Sequence, residues 1–357
     1  MVNRRHAIGG IAAGLASAGS ARWPAFSQNT KPVRFGYPQG VVTASAVDMV
    51  IGEKLGYYES EGLTFDILTL GQTSVALAAF DDKTIEVGFG TLSFMLPMFV
   101  KGDLPPIVNF FESAYPYKYD IGVMPGSPIK SYEDLAGKNI GVTSLGVTDY
   151  AAAQAVLRSL GIDPEAGVNW IVVGQGLAAA QALEQGVVDA LAAHDIVFGT
   201  LEGAGVDFDL LPRPTKLPYF GGNFIAARRD MLEANPEIAI GFGRANRKAQ
   251  EFILVNPAAA CAIFLDVYPE LVPRGTEFKD AIASMMPVVE RRAQLYRPTM
   301  DGLKVGEMSL REYEESAEFL ALDVRGDMRT LFTNDLIDEI NNFDLQAIQD
   351  AAKAYVI

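Results

Sequence analysis

Clusters of glycine, serine, threonine and glutamine recur in this chain directly after short apolar runs, and these are the places where it could hold a small molecule. Glycine lets a ligand approach the backbone, while small hydroxyls and free N–H groups at a helix start donate hydrogen bonds. A helix N-terminus favours a negative group by about 0.3–1 kcal/mol, and by up to ~2 when partly buried. On this basis the expected ligand contacts are Gly40, Val41, Thr43, Gln72, Thr73, Ser74, Thr91 and Leu92 in the first part of the chain. Ser144, Gly146, Val147, Thr148, His194, Asp195 and Asn223 are the candidates further on. Ser, Thr and Asp before a helix also serve as caps, so each candidate has a purely structural alternative. Basic residues are scarce at these corners, which disfavours a doubly charged ligand.

No catalytic residue, cofactor or metal is expected. The chain has no G-x-S-x-G elbow, H-E-x-x-H pair or P-loop. Cys261 is alone, which excludes an internal disulfide and a zinc cluster, and a nucleophile–base pair is improbable with so few Cys and His. Gly174-x-Gly176-x-x-Ala179, with Asp195 21 residues after Gly174, imitates a dinucleotide fingerprint. The same corner earlier in the chain reads Gly71-Gln72-Thr73-Ser74 without the second glycine, so it belongs to a repeated scaffold rather than to a cofactor.

The elements that position these corners come in two similar sets. Strands are expected at 33–37, 63–67 and 85–89, and again at 139–142, 168–172 and 187–191, with helices between them. Gly71-Gln72 aligns on Gly174-Gln175 and Phe80 on Leu183 at an offset of 103, and Leu55-Gly56 on Leu160-Gly161 at 105. Alternating strands and helices indicate two α/β lobes, each with a parallel-dominated sheet and flanking helices. The first lobe is assigned 33–120 and 223–357, the second 121–222. Pro125, Gly126 and Pro128 are placed in the connection into the second lobe, and Tyr219 to Asn223 in the return. Later helices are expected at 236–255, 257–267, 278–296 and 309–320. A chain crossing twice between lobes leaves a cleft, the default place for a ligand.

Residues 1–27 read as an export signal of the twin-arginine kind, with Arg4-Arg5, an Ala/Gly-rich core and Ala25-Phe26-Ser27 before cleavage. The product is then periplasmic. The chain carries −15, and the signal removes three arginines and no acid, leaving −18. That charge argues against nucleic acid and against anionic lipid as partners.

Several segments resemble one family. Glu53-Lys54-Leu55-Gly56-Tyr57-Tyr58, followed by Glu61-Gly62-Leu63, is similar to a signature of solute-binding proteins of the nitrate/sulfonate/taurine type, the NMT1/THI5-like group. Ser127 to Lys138, Ala182 to Ala190, Arg229-Asp230 with Asn235-Pro236-Glu237, and Leu331 to Asp335 resemble further motifs in the same order. The resemblance implies a type II periplasmic binding protein fold with added C-terminal helices. It also implies capture of a small organic solute (sulfonate, organic or aromatic acid, or pyrimidine-like) and its delivery to an ABC permease. The chain is expected to act as a monomer. Ala193-His194-Asp195-Ile196 departs from the family's usual residues there, so specificity does not transfer. An enzyme on the same fold and a sensor for a membrane kinase are the rival readings.

Overall fold

The computed structural model describes residues 30–145, 148–174, 176–214 and 217–357. The expected export signal, Gly146 and Val147 lie outside the described residues. Alternation in strand Lys31–Tyr37 (β1) buries Val33, Phe35 and Tyr37, and β1 pairs in parallel with Leu63–Thr69 (β2) and Val87–Phe89 (β3). Ile107–Ala114 (β4) completes this sheet, which has a later strand inserted beside it. Tyr119–Val123 (β5), Asn139–Val142 (β6), Asn169–Val172 (β7), Ala190–His194 (β8) and Asp209–Leu210 (β9) form the second sheet. Asn223–Arg228 (β10) is the strand inserted in the first sheet.

The spatial orders are β2-β1-β3-β10-β4 and β7-β6-β8-β5-β9. In each sheet the strand that follows a lobe crossing, β10 or β5, runs antiparallel to its neighbours, and the other four strands run together. The two lobes thus repeat one plan, with the carboxyl ends of both sheets facing the space between them. Their cores are separate, one built on Val33, Phe35, Phe110 and Phe242, the other on Ile121, Ile140, Val142 and Leu157.

The third strands begin later than expected, at Val87 rather than 85 and at Ala190 rather than 187. The preceding helices end in a left-handed residue, Lys83 (φ 60°) and Gly186 (φ 68°), that turns the next amides back. Thr84 and Ile85 then donate to Ala79 O, and Val187 and Val188 to Ala182 O, so those four residues finish helices. The two copies match residue for residue at the offset of 103.

Strand β5 starts at Tyr119 and is already paired to β8, so the first crossing is residues 115–118. Pro125, Gly126 and Pro128 lie inside the second lobe on the way to β6, not between the lobes. The helices Pro236–Val255 and Pro257–Val267 start as expected, with proline at their first positions and Asn256 Oδ1 accepting from Ala259 N at 3.0 Å. Helix Phe278–Ala293 touches both lobes. Ala281, Val288 and Val289 sit in the first core, yet its other side lies against helix Asp195–Gly203 of the second. Gly199 and Gly203 make that approach possible, since a Cβ on Gly203 would stand 1.9 Å from Ser284 O.

Candidate functional site

The carboxyl ends of β1, β2, β3, β6 and β8, together with both crossings, surround a cavity of about 550 Å³. Thr91 precedes helix Leu92–Lys101 and His194 precedes helix Asp195–Gly203, so the repeat brings equivalent positions to opposite walls. Of the expected contacts, Thr43, Gln72, Thr73, Ser74, Thr91, His194 and Asn223 line this cavity. Gly40 and Val41 are exposed beyond it, Val41 by 66 %. Leu92 points into a core with Leu96 and Tyr313. Ser144 is half-buried and does not reach the cavity wall, which its neighbours Thr143 and Asp149 supply. Thr148 opens helix Thr148–Ser159.

Asp195 is buried beneath the cavity rather than in its wall, because it is taken up by Arg292 of helix Phe278–Ala293. Arg292 Nη2 donates to Asp195 Oδ1 at 3.1 Å, and Nε lies 3.0 Å from Oδ2 without aiming its hydrogen at it. Burial works against the Arg292 charge, and the nearby Asp195, with Tyr296, Asp48 and Tyr37 behind it, together more than restore it. The same burial lifts Asp48, below the floor, to about 6, against hydrogen bonding by Gln250 and the pull of Arg292.

The scarcity of basic groups inferred from the corners does not describe the cavity. Lys118, from the first crossing, and Arg292 both line it. Lys118 Nζ donates to Asn223 Oδ1 at 2.6 Å, tying the two crossings together at the cavity floor. Burial, then the like charge of Arg292, lowers the Lys118 ammonium to about 8, against the pull of Asp195, Asp149 and Glu312. Neither residue carries a local signal, since Lys118 sits in an aromatic stretch and Arg292 in an ordinary amphipathic helix.

The rest of the lining divides by lobe. Tyr37 Oη lies 2.7 Å from Thr43 Oγ1 and 2.6 Å from Ser45 Oγ, a hydroxyl network on the first lobe continued by Gln39, Gln72, Thr73 and Ser74. On the second, His194 Nδ1 meets Asp149 Oδ2 at 2.8 Å, which fixes the ring and leaves Nε2 free of that bond. Phe89, Phe94, Tyr119 and Ile196 provide apolar surface between these polar groups. A cavity with a buried cationic floor, hydroxyls on one wall and an oriented imidazole on the other can hold a flat or elongated molecule bearing one negative group.

Two lobes joined by two crossings, with a polar cavity at facing strand ends, define the α/β periplasmic binding protein fold. The family described as NMT1/THI5 like matches residues 44–260, and the chain belongs to it. No curated protein sequence matches the chain. Among solved structures it is similar to the periplasmic aliphatic sulphonate-binding protein SsuA of Escherichia coli, with 18 % identity and a TM-score of 0.62 over 85 % of this chain and 92 % of that one. The periplasmic nitrate-binding protein NrtA of Synechocystis PCC 6803 is similar at 14 % identity and a TM-score of 0.54, over 92 % of this chain and 99 % of that one. The desulfurization enzyme DSZB is similar at 15 % identity and 0.53, over 87 % and 99 %. At these identities the likeness concerns the fold.

Proposed function

We propose that the protein is the exported solute-binding component of an ABC importer, acting as a monomer in the periplasm on a small organic monoanion. The observation that carries the reading is the buried Lys118 in the cavity between the lobes, with Arg292 beside it already neutralised by Asp195. Asp149 is held by His194 and Asp195 by Arg292, whereas Lys118 bonds the neutral amide of Asn223, so its charge suits one carboxylate or sulfonate. The aromatic and aliphatic lining suits an apolar body. Enclosing such a ligand gives micromolar affinity at about −8 kcal/mol. Closure of the lobes around it shifts the protein toward the form that a permease would recognise.

A thermal-shift screen against alkanesulfonates, aromatic carboxylates and pyrimidines tests this. A ligand at 100 times its Kd stabilises by about 2.7 kcal/mol, a rise of several degrees in Tm. No shift from any of them at millimolar concentration would remove the receptor reading. Affinity for a found anion should fall as Lys118 loses its proton above about pH 8, measured by calorimetric titration. Lys118→Met should weaken it by about 2–5 kcal/mol, thirtyfold or more, with little change in fold.

A second reading, catalysis on this fold, draws on the Asp149–His194 pair, which has the geometry of an oriented acid–base group. Cys261 offers it no nucleophile, since it is buried outside the cavity and burial pushes its thiol up to about 12. Product formed from a ligand that His194→Gln still binds but no longer converts would favour this reading.

A further inference from the structure

The waist between the lobes holds a feature that solute binding does not use. Glu112, at the end of β4, and Glu312, on helix Leu310–Phe319, are each 1 % exposed. Their Oε1 atoms crowd the same point, the place a Cβ on Gly222 would occupy, each 2.7 Å from it. Gly222 belongs to the second crossing, and its N–H donates to Glu312 Oε1 at 3.2 Å. Among the described residues no donor reaches Glu112 Oε1, and two oxygens each 2.7 Å from one point leave the carboxyl groups facing each other directly. Two carboxyl oxygens, both acceptors, can bond only when one carries a proton.

We propose that Glu112 and Glu312 share a single proton that clamps the second crossing to both lobes, so that the freedom of the waist depends on pH. Helix Leu310–Phe319 suits this role because Tyr313 and Ala317 pack in a first-lobe cluster while Phe319 packs with Phe220 in the second-lobe core. The charged and titratable groups around the pair are few. Lys118 pulls on Glu312 from the cavity floor, Glu315 opposes it from the next helical turn, and Tyr115 and Tyr313 feel both carboxyls. Arg247 acts on Tyr115 from behind.

Burial, then the neighbouring carboxylate, holds Glu112 far above the ordinary carboxyl range, and burial holds Glu312 at about 7. Carboxyls raised in the folded state contribute stability that is complete below their ordinary titration and lost as pH rises through the folded value. Losing the shared proton puts two negative charges against the backbone of Gly222, where separation of the waist relieves them.

Two measurements on the whole protein, without any solute, test the clamp. At about pH 8, where exposed carboxyls and Glu312 are ionised, difference infrared spectroscopy should show the carbonyl band of a buried protonated carboxyl, and Glu112→Gln should lose it. As pH rises from about 8 to about 10 the radius of gyration from small-angle scattering should rise in the wild type and stay level in Glu112→Gln, whose amide N–H cannot dissociate. A missing band in the wild type, or the same expansion in both proteins, would overturn the proposal. If Glu112→Gln does not fold, Glu312→Gln takes its place in the scattering, and the wild-type band alone still decides whether the proton is there.

Discussion

Asp195→Ala is expected to cost about 3–5 kcal/mol of folding stability, the usual consequence of leaving a buried charge without its partner. Asp195 and Arg292 are both almost fully buried, and the carboxylate is what keeps the guanidinium charged there. Against a total stability of about 5–15 kcal/mol, this is enough to bring the protein close to unfolding at growth temperature. Asp195→Asn should cost less, because the amide oxygen still accepts from Nη2. The double variant Asp195→Leu with Arg292→Met should recover most of the loss, because it removes both charges and fills the space. Urea unfolding of the four proteins checks the series. Equal stabilities of Asp195→Ala and the wild type would show that the pair is solvated and that Asp195 belongs to the ligand instead.

The second large effect concerns the helix contact between the lobes. Gly203→Ala places a methyl 1.9 Å from Ser284 O, and Gly199→Ala places one 2.5 Å from Val288 Cα. Both neighbours are backbone, so the helices must separate rather than a side chain turn aside. Overpacking of this kind costs about 1–3 kcal/mol, and more when rigid backbones meet. Thr200→Ala, exposed on the same helix, should stay within about 0.5 kcal/mol. Because Arg292 rides on the displaced helix, Gly203→Ala should also weaken binding of any anion found in the screen. A variant as stable as Thr200→Ala would show that the lobes do not rest on each other there.

This contact also bears on how the lobes can move. Two crossings alone would leave a free hinge. Helix Phe278–Ala293, cored in the first lobe and pressed on Asp195–Gly203 of the second, adds a third support at the cavity floor. On the proposed reading, closure would pivot about that support, with the ion pair of Arg292 and Asp195 holding the cationic floor in place.

What could be read from residues alone was whatever repeats locally. Alternating apolar residues mark β1 and β2, and the copied spacing around Gly71 and Gly174 shows that the same unit occurs twice. Proline and asparagine starts mark the late helices, and helix starts that follow strands locate Thr43, Thr73, Ser74, Thr91 and His194 in one cavity. The third strands were misplaced by two or three residues because the left-handed turns at Lys83 and Gly186 are set by hydrogen bonds, not by apolar pattern. The rest lies in contacts between residues far apart in the chain. Lys118 meets Asn223 across 105 positions and Asp195 meets Arg292 across 97, so no window of sequence contains either pair. A charge has no periodicity of its own, and whether it is solvated, paired or aimed at a ligand is decided by what other segments bury around it. The scaffold of this protein is therefore a local property of its sequence, while the sign of its cavity and the joint between its lobes arise from tertiary packing.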